Sequence, residues 1–92
     1  MVGRVQLTRA QPRDRRNGLV GWLSFELDGA VVVDGVALRL AADGSPALRW
    51  PARRDGSGLL RYSVRPLSEA ARLAIERQVI AALEPGVAGR QS

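Results

Sequence analysis

Between Leu19 and Ala41 the chain has little choice of fold. Leu19, Leu23, Phe25 and Leu27 share one parity, and Val20, Trp22, Ser24 and Glu26 share the other. A period of two marks a strand with one buried face. Asp28-Gly29 follows, and then a second apolar run from Ala30 to Ala41. Asp-Gly between two apolar runs is the strongest short-range hairpin signal, because a type I′ turn needs positive φ at both central residues. An antiparallel hairpin is therefore predicted. In its second strand Val32, Val36, Leu38 and Leu40 share a face with Asp34. An inward carboxylate needs an arginine partner, Arg39 or one across the sheet, unless a bulge at Gly35 turns it outward.

The same alternation extends to either side. Val2 to Arg9 reads as a first strand with Val5 and Leu7 on one face, and Ala10 to Gly18 as a polar loop. Asp43-Gly44-Ser45-Pro46 is a turn into a short fourth strand, Ala47 to Trp50, closed by Pro51. Asp55-Gly56-Ser57-Gly58 turns the chain again, and Leu60, Tyr62 and Val64 are predicted as the inner face of a fifth strand. Ser68 then suits an N-cap, with Glu69 well placed against the helix dipole. The helix is predicted to reach about Leu83 and to stop at Pro85-Gly86. Ala71, Ile75, Val79, Ala82 and Leu83 form its main apolar stripe; Leu73 and Ile80 form a narrower one, either a subunit contact or a widening of the core face. The expected fold is α+β: a small antiparallel sheet of about five strands, meander-like, covered by a C-terminal α-helix. Residues 1–84 make the domain and 85–92 a flexible tail.

Ninety-two residues bury a thin core, so self-association is a natural source of added stability. Cysteine and histidine are both absent. No disulfide framework or thiolate metal site is possible, and no Ser/His or Cys/His nucleophile system. Glu26, Asp28 and Asp43 read as solvated or turn carboxylates, with Asp34 the exception by its inward parity, and the glycines at 56 and 58 serve a hairpin without leading into a helix. The expectation is a non-enzyme with no cofactor, no metal and no small-molecule substrate. No run of about 18 apolar residues and no signal-like segment occurs, which reads as a cytoplasmic protein with no membrane partner.

The charge points to a partner. All 14 basic residues are arginine, which follows from a GC-rich genome, from selection for forked phosphate contacts, or from both. Residues 9–16 carry Arg9, Arg13, Arg15 and Arg16 against Asp14 alone. Residues 49–65 carry Arg49, Arg53, Arg54, Arg61 and Arg65 against Asp55 alone. Residues 17–48 are net acidic. Two loop-centred basic patches argue for an anionic partner more strongly than the net charge of +5 does. Arg53 and Arg54 sit beside a hairpin tip, where arginines straddle phosphates or enter a groove, or serve only as solvated loop charges. Trp22 falls on the outward face with Val20, which calls for a covering helix or a second subunit.

From Leu27 to Leu83 the sequence resembles the SpoVG family (stage V sporulation protein G). Leu27-Asp28-Gly29-Ala30-Val31-Val32-Val33 is similar to the family's hairpin. Pro51-Ala52-Arg53-Arg54 looks like its Pro-Ser-Lys/Arg-Arg segment, with Asp55-Gly56 keeping the turn. Arg61, Pro66-Leu67, Arg72, Ile75 and Val79 fall where the family has matching residue types. Asp34-Gly35 departs from its usual His-Asp, and Trp50 from its usual Met. The resemblance implies a homodimeric bacterial regulator that binds DNA or RNA, with Arg53, Arg54 and Arg72 among its contacts. Together with the charge patches, the candidate nucleic-acid-binding set is Arg13, Arg15, Arg16, Arg53, Arg54, Arg61, Arg65 and Arg72. The rival expectation is a non-catalytic protein-interaction module. It would bind through apolar surface around Trp22, Leu73 and Ile80, with the arginines only solubilising.

Overall fold

A computed structural model describes the backbone of residues 1–91 and the side chains of residues 1–83. The elements in chain order are β1 (Val2–Arg9), α1 (Pro12–Arg15), β2 (Leu19–Leu27), β3 (Val31–Leu40), β4 (Pro46–Arg49), β5 (Ala52–Arg54), β6 (Leu60–Tyr62) and α2 (Glu69–Gln91). β1 to β4 form one antiparallel sheet in sequence order, and β5 pairs with β6 in a separate two-stranded ribbon. The architecture is α+β, with the C-terminal helix packed on the inner face of the four-stranded sheet.

The central hairpin forms as its sequence dictates. Asp28 and Gly29 both have positive φ, 55° and 64°. The Ala30 N–H donates to the Leu27 carbonyl at 3.0 Å, and the N-terminal ammonium pairs with the Asp28 carboxylate. Leu23 and Phe25 are buried on the predicted face. β3 differs. Its buried residues are Val33, Val36 and Leu38, while Val32 and Leu40 are exposed. The β2–β3 register slips between Leu23↔Val36 and Phe25↔Val33, which places a bulge at Asp34-Gly35. Gly35 takes φ +75° there, a conformation that side chains resist. The bulge switches parity in mid-strand, so Asp34 turns outward, and its Oδ1 accepts from the Gly35 N–H at 2.9 Å. No arginine is needed.

Phe25, Leu23, Val33, Val36, Leu38, Trp50 and Val79 form the core, and Ile75 and Leu83 of α2 pack against it. Trp50 meets Phe25 edge to face, with ring centroids 5.9 Å apart and an interplanar angle of 89°. Burying each such side chain contributes about 1.5–3 kcal/mol. Gly21 lies where β1 crosses closely; a Cβ there would sit 2.2 Å from the Thr8 carbonyl oxygen.

Four further expectations are corrected. The fifth segment does not extend the meander. Pro51 has no N–H to continue a ladder, and Trp50 is anchored in the core. The chain therefore leaves the sheet and pairs with itself, closed at its base by the Ser63 N–H to the Pro51 carbonyl at 2.9 Å. Leu60, Tyr62 and Val64 are consequently exposed rather than inward. The loop after β1 contains one helical turn, α1, started by Pro12, whose fixed φ suits a first helical position. On α2, Ala82 is exposed, and the inward row runs through Ile75, Glu76 and Val79 to Leu83. Ser68 caps the helix as expected, its Oγ accepting from the Ala71 N–H at 3.1 Å. The helical backbone carries past Pro85-Gly86 to Gln91. A proline removes one amide donor without leaving helical φ. Residues 85–91 of the expected tail thus have helical backbone, while Ser92 and the side chains beyond Leu83 lie outside the described residues.

Candidate nucleic-acid interface

The β5–β6 ribbon is organised by one carboxylate. Asp55 Oδ1 accepts from the Ser57 N–H at 2.8 Å, the Ser57 hydroxyl at 2.6 Å and the Leu59 N–H at 3.1 Å. Its Oδ2 accepts from Arg61 Nε at 2.9 Å. These bonds, the Ser57 hydroxyl first and then Arg61, hold its pKa down to about 2. Asp55 is a turn residue by composition, because a short carboxylate can bond the backbone two residues on.

The ribbon's register then sorts the arginines. Arg53 lies opposite Arg61, and Arg54 opposite Leu60. Directly opposed residues share a face and neighbours alternate. Arg53 and Arg61 therefore occupy one face, while Arg54 joins Leu60 and Tyr62 on the other. The adjacent pair in the sequence is split in space. Arg54 Nη1 donates to the Gly58 carbonyl at 2.9 Å, which ties it to the turn. Arg61 is engaged by Asp55, and Arg53 meets no carboxylate among the described residues. Arg65 is exposed and shares a small depression with Leu60, Arg61 and Tyr62.

Arg13, Arg15 and Arg16 are all exposed on or just after α1, with no carboxylate partner among the described residues. Arg72 is different. It bonds Glu69 on one side and Glu76 Oε1 at 3.0 Å on the other. Glu69, with Glu76 behind it, pushes the guanidinium pKa up, and Arg72 in turn lowers that of Glu69. Its charge is already met within the protein.

Glu76 is a feature that helix periodicity does not reveal. It is only 8% exposed, and its Oε2 accepts from the buried Trp50 Nε1 at 2.9 Å. With Arg72 it forms one wall of an open cleft of about 660 Å³ beside β4. Arg39, Ala47, Leu48, Arg49, Trp50 and Tyr62 line the rest. The Arg39 Nη1 donates to the Asn17 carbonyl at 3.2 Å, so the loop after α1 borders this cleft. The Arg39 Nε is buried without an acceptor. Neither Arg39 nor Arg49 meets a carboxylate among the described residues. Their proximity was legible in principle. The Asp43–Pro46 turn fixes the register Arg39↔Ala47 and Ala37↔Arg49, which puts both arginines on one face of the sheet. Trp50 and Glu76, 26 residues apart on different elements, carry no such signal.

No family model, curated protein or solved structure matches the chain. No group of three or more acidic residues among those described is disposed to hold a metal ion, and no helix is long and apolar enough to cross a membrane.

Proposed function

We propose that this protein is a nucleic-acid-binding regulator, which contacts phosphate through the Arg53/Arg61 face of the β5–β6 ribbon, through Arg65, and through Arg13, Arg15 and Arg16 at α1. One observation carries the reading. Arg13, Arg15, Arg16, Arg53 and Arg65 are exposed and meet no carboxylate among the described residues. A guanidinium without an internal partner keeps its fork of donors for phosphate oxygens. Arg54 supports the turn from the opposite face, and Arg72 braces Glu69 and Glu76, so both act behind the contact surface. The resemblance of Leu27 to Leu83 to the SpoVG family points the same way, towards a homodimeric bacterial protein that binds DNA or RNA. Two copies would present each weak patch twice.

The test is anisotropy titration of labelled DNA and RNA over a range of salt. Binding should weaken linearly on a log–log scale, by about 0.9 per phosphate contact neutralised on duplex DNA. Arg53→Ala should flatten that slope by about one unit and leave the melting temperature unchanged. An unaltered affinity for Arg53→Ala at low salt would sink the assignment.

A second reading draws on apolar residues. Trp22 is 41% exposed, Leu67 98% and Leu73 is likewise uncovered. Surface of this kind favours a protein partner, with a second copy as the simplest one. A monomeric mass by light scattering, with a co-purifying protein and no nucleic acid, would favour the interaction module instead.

A further inference from the structure

We propose that the cleft beside β4 holds one unstacked nucleotide of a single strand, its base against Tyr62 and its phosphate on Arg39 and Arg49. This rests on the nucleic-acid reading and deepens it, since it assigns a preference for single-stranded over duplex ligand.

Size is the first support. The cleft measures about 660 Å³, within the roughly 300–1,000 Å³ usual for small-ligand sites. That suits one base with its phosphate.

Charge is the second. Glu76 Oε2 is turned to Trp50 and its Oε1 to Arg72, so the carboxylate among the described lining residues already has its donors within the protein. Arg39 and Arg49 remain without a carboxylate among the described residues. Arg39 Nη1 is turned to the Asn17 carbonyl and its Nε is enclosed, which leaves Nη2 to meet an oxygen in the cleft. A phosphate oxygen is the acceptor a guanidinium fork fits best.

The third is the aromatic wall. Tyr62 is 48% exposed on a ribbon that stands away from the sheet, and it borders the cleft. Every base has a π-face, so such a ring takes an extruded base whatever its sequence. A base can reach it only if it is out of the helical stack.

The strand edge adds a fourth. β4 is the last strand of its sheet, so one of its edges has no strand partner. The Ala41 N–H bonds the Ser45 carbonyl, which makes 39/47 and 37/49 the hydrogen-bonded pairs of this hairpin. Leu48, between them, turns its own N–H and C=O outward along the cleft. One donor and one acceptor side by side fit the polar edge of a base.

The experiment compares oligo-dT, oligo-U and a duplex of equal length by anisotropy, with wild-type protein and with Tyr62→Ala, Arg49→Ala and Arg53→Ala. Wild-type protein should prefer the single strands. Tyr62→Ala should weaken single-strand binding by between about fivefold and a hundredfold, the usual loss for one stacked base. Arg49→Ala, a change at an exposed position, should weaken the same ligands. Neither should alter duplex affinity by more than about twofold, whereas Arg53→Ala should weaken all three. The dT and U arms tell DNA from RNA as the source of the strand. The cleft assignment is overturned, with nucleic-acid binding intact, if Arg49→Ala leaves single-strand affinity unchanged or lowers duplex affinity equally. If no wild-type binding to any of the three is seen, the proposed function falls with it.

Discussion

Glu76 lends itself to the most searching test of this fold. It is a carboxylate placed in the inward row of α2 and only 8% exposed. Its stability role is to receive the Trp50 indole N–H at 2.9 Å and one Arg72 nitrogen at 3.0 Å. Replacing it with leucine keeps the volume and removes both acceptors. The Trp50 N–H is then buried and unpaired, a loss of about 1–3 kcal/mol. Arg72 retains Glu69 and half-exposed surroundings, so its share is at most about 1 kcal/mol. Replacing both ends of a buried polar pair by apolar groups can be neutral or stabilising, but here only one end is changed. The sum is dominated by the indole. Thermal unfolding by circular dichroism should show a melting temperature lower by about 4–8 °C for each kcal/mol lost in a domain of this size. Glu76→Gln keeps an acceptor for the indole and should lose less. In a Trp50→Phe background the donor is gone, and Glu76→Leu should then be nearly harmless, giving a coupling above about 0.5 kcal/mol. Glu76→Leu melting at or above the wild-type temperature, or a coupling near zero, would refute the bond as a stabilising element.

Acid should loosen the ribbon from its tip. The Asp55 pKa is about 2 in the fold against an ordinary 3.8, so the ordering it contributes is present above 3.8 and is lost as pH falls through 2. Carboxyl carbon shifts should titrate near the lower value, with amide protection of Ser57 and Leu59 falling together; a midpoint at 3.8 would remove Asp55 from its role. Gly21→Ala should destabilise by about 1–3 kcal/mol in urea unfolding, because its Cβ would lie 2.2 Å from the Thr8 carbonyl and β1 must shift. Gly35→Ala meets no atom within 4 Å and should be destabilising only through its φ of +75°, by about 1–2 kcal/mol. Equal stability of that variant and wild type would mean the bulge relaxes into regular pairing.

Local periodicity carried the fold where one face of one element decided the outcome. β2 needed little correction, because its alternation and its Asp28-Gly29 turn agree, but the register slips between Leu19 and Gly21, and Val20, expected outward, packs against the core. β3 needed one, although Gly35 marks a bulge there as an alternative: a single bulge reverses every side chain beyond it, and parity alone does not say whether it forms. The ribbon was misassigned for a related reason. Leu60, Tyr62 and Val64 alternate as an inner face does, but alternation does not say what the face meets. Pro51 and the anchored Trp50 divert the chain before that face can reach the core. At the candidate site, exposure of the hairpin and loop arginines followed from composition. The split of Arg53 from Arg54 needed the register, and the Trp50–Glu76–Arg72 group needed the tertiary structure.

That group explains why a net charge of +5 understates what the molecule offers an anion. Charges that are spent internally cannot recruit a ligand, and here the spending is one-sided. Asp28 holds the N-terminus, Asp34 holds its bulge, Asp43 binds the Ser45 N–H and hydroxyl, and Asp55 builds the ribbon turn. Glu69 and Glu76 hold Arg72 and, through Glu76, Trp50. Nearly every carboxylate with a described partner is thus shaping backbone or core, and only Arg61 and Arg72 among the candidate arginines are drawn into the work. The remaining guanidinia stand at α1, along the cleft and on the ribbon. Arg39, bonded to the loop after α1 while lining the cleft, joins the first of these to the second, and Tyr62 borders the cleft from the ribbon face opposite Arg53 and Arg61. A strand following that path would meet guanidinia at α1 and in the cleft, with an aromatic ring beside them.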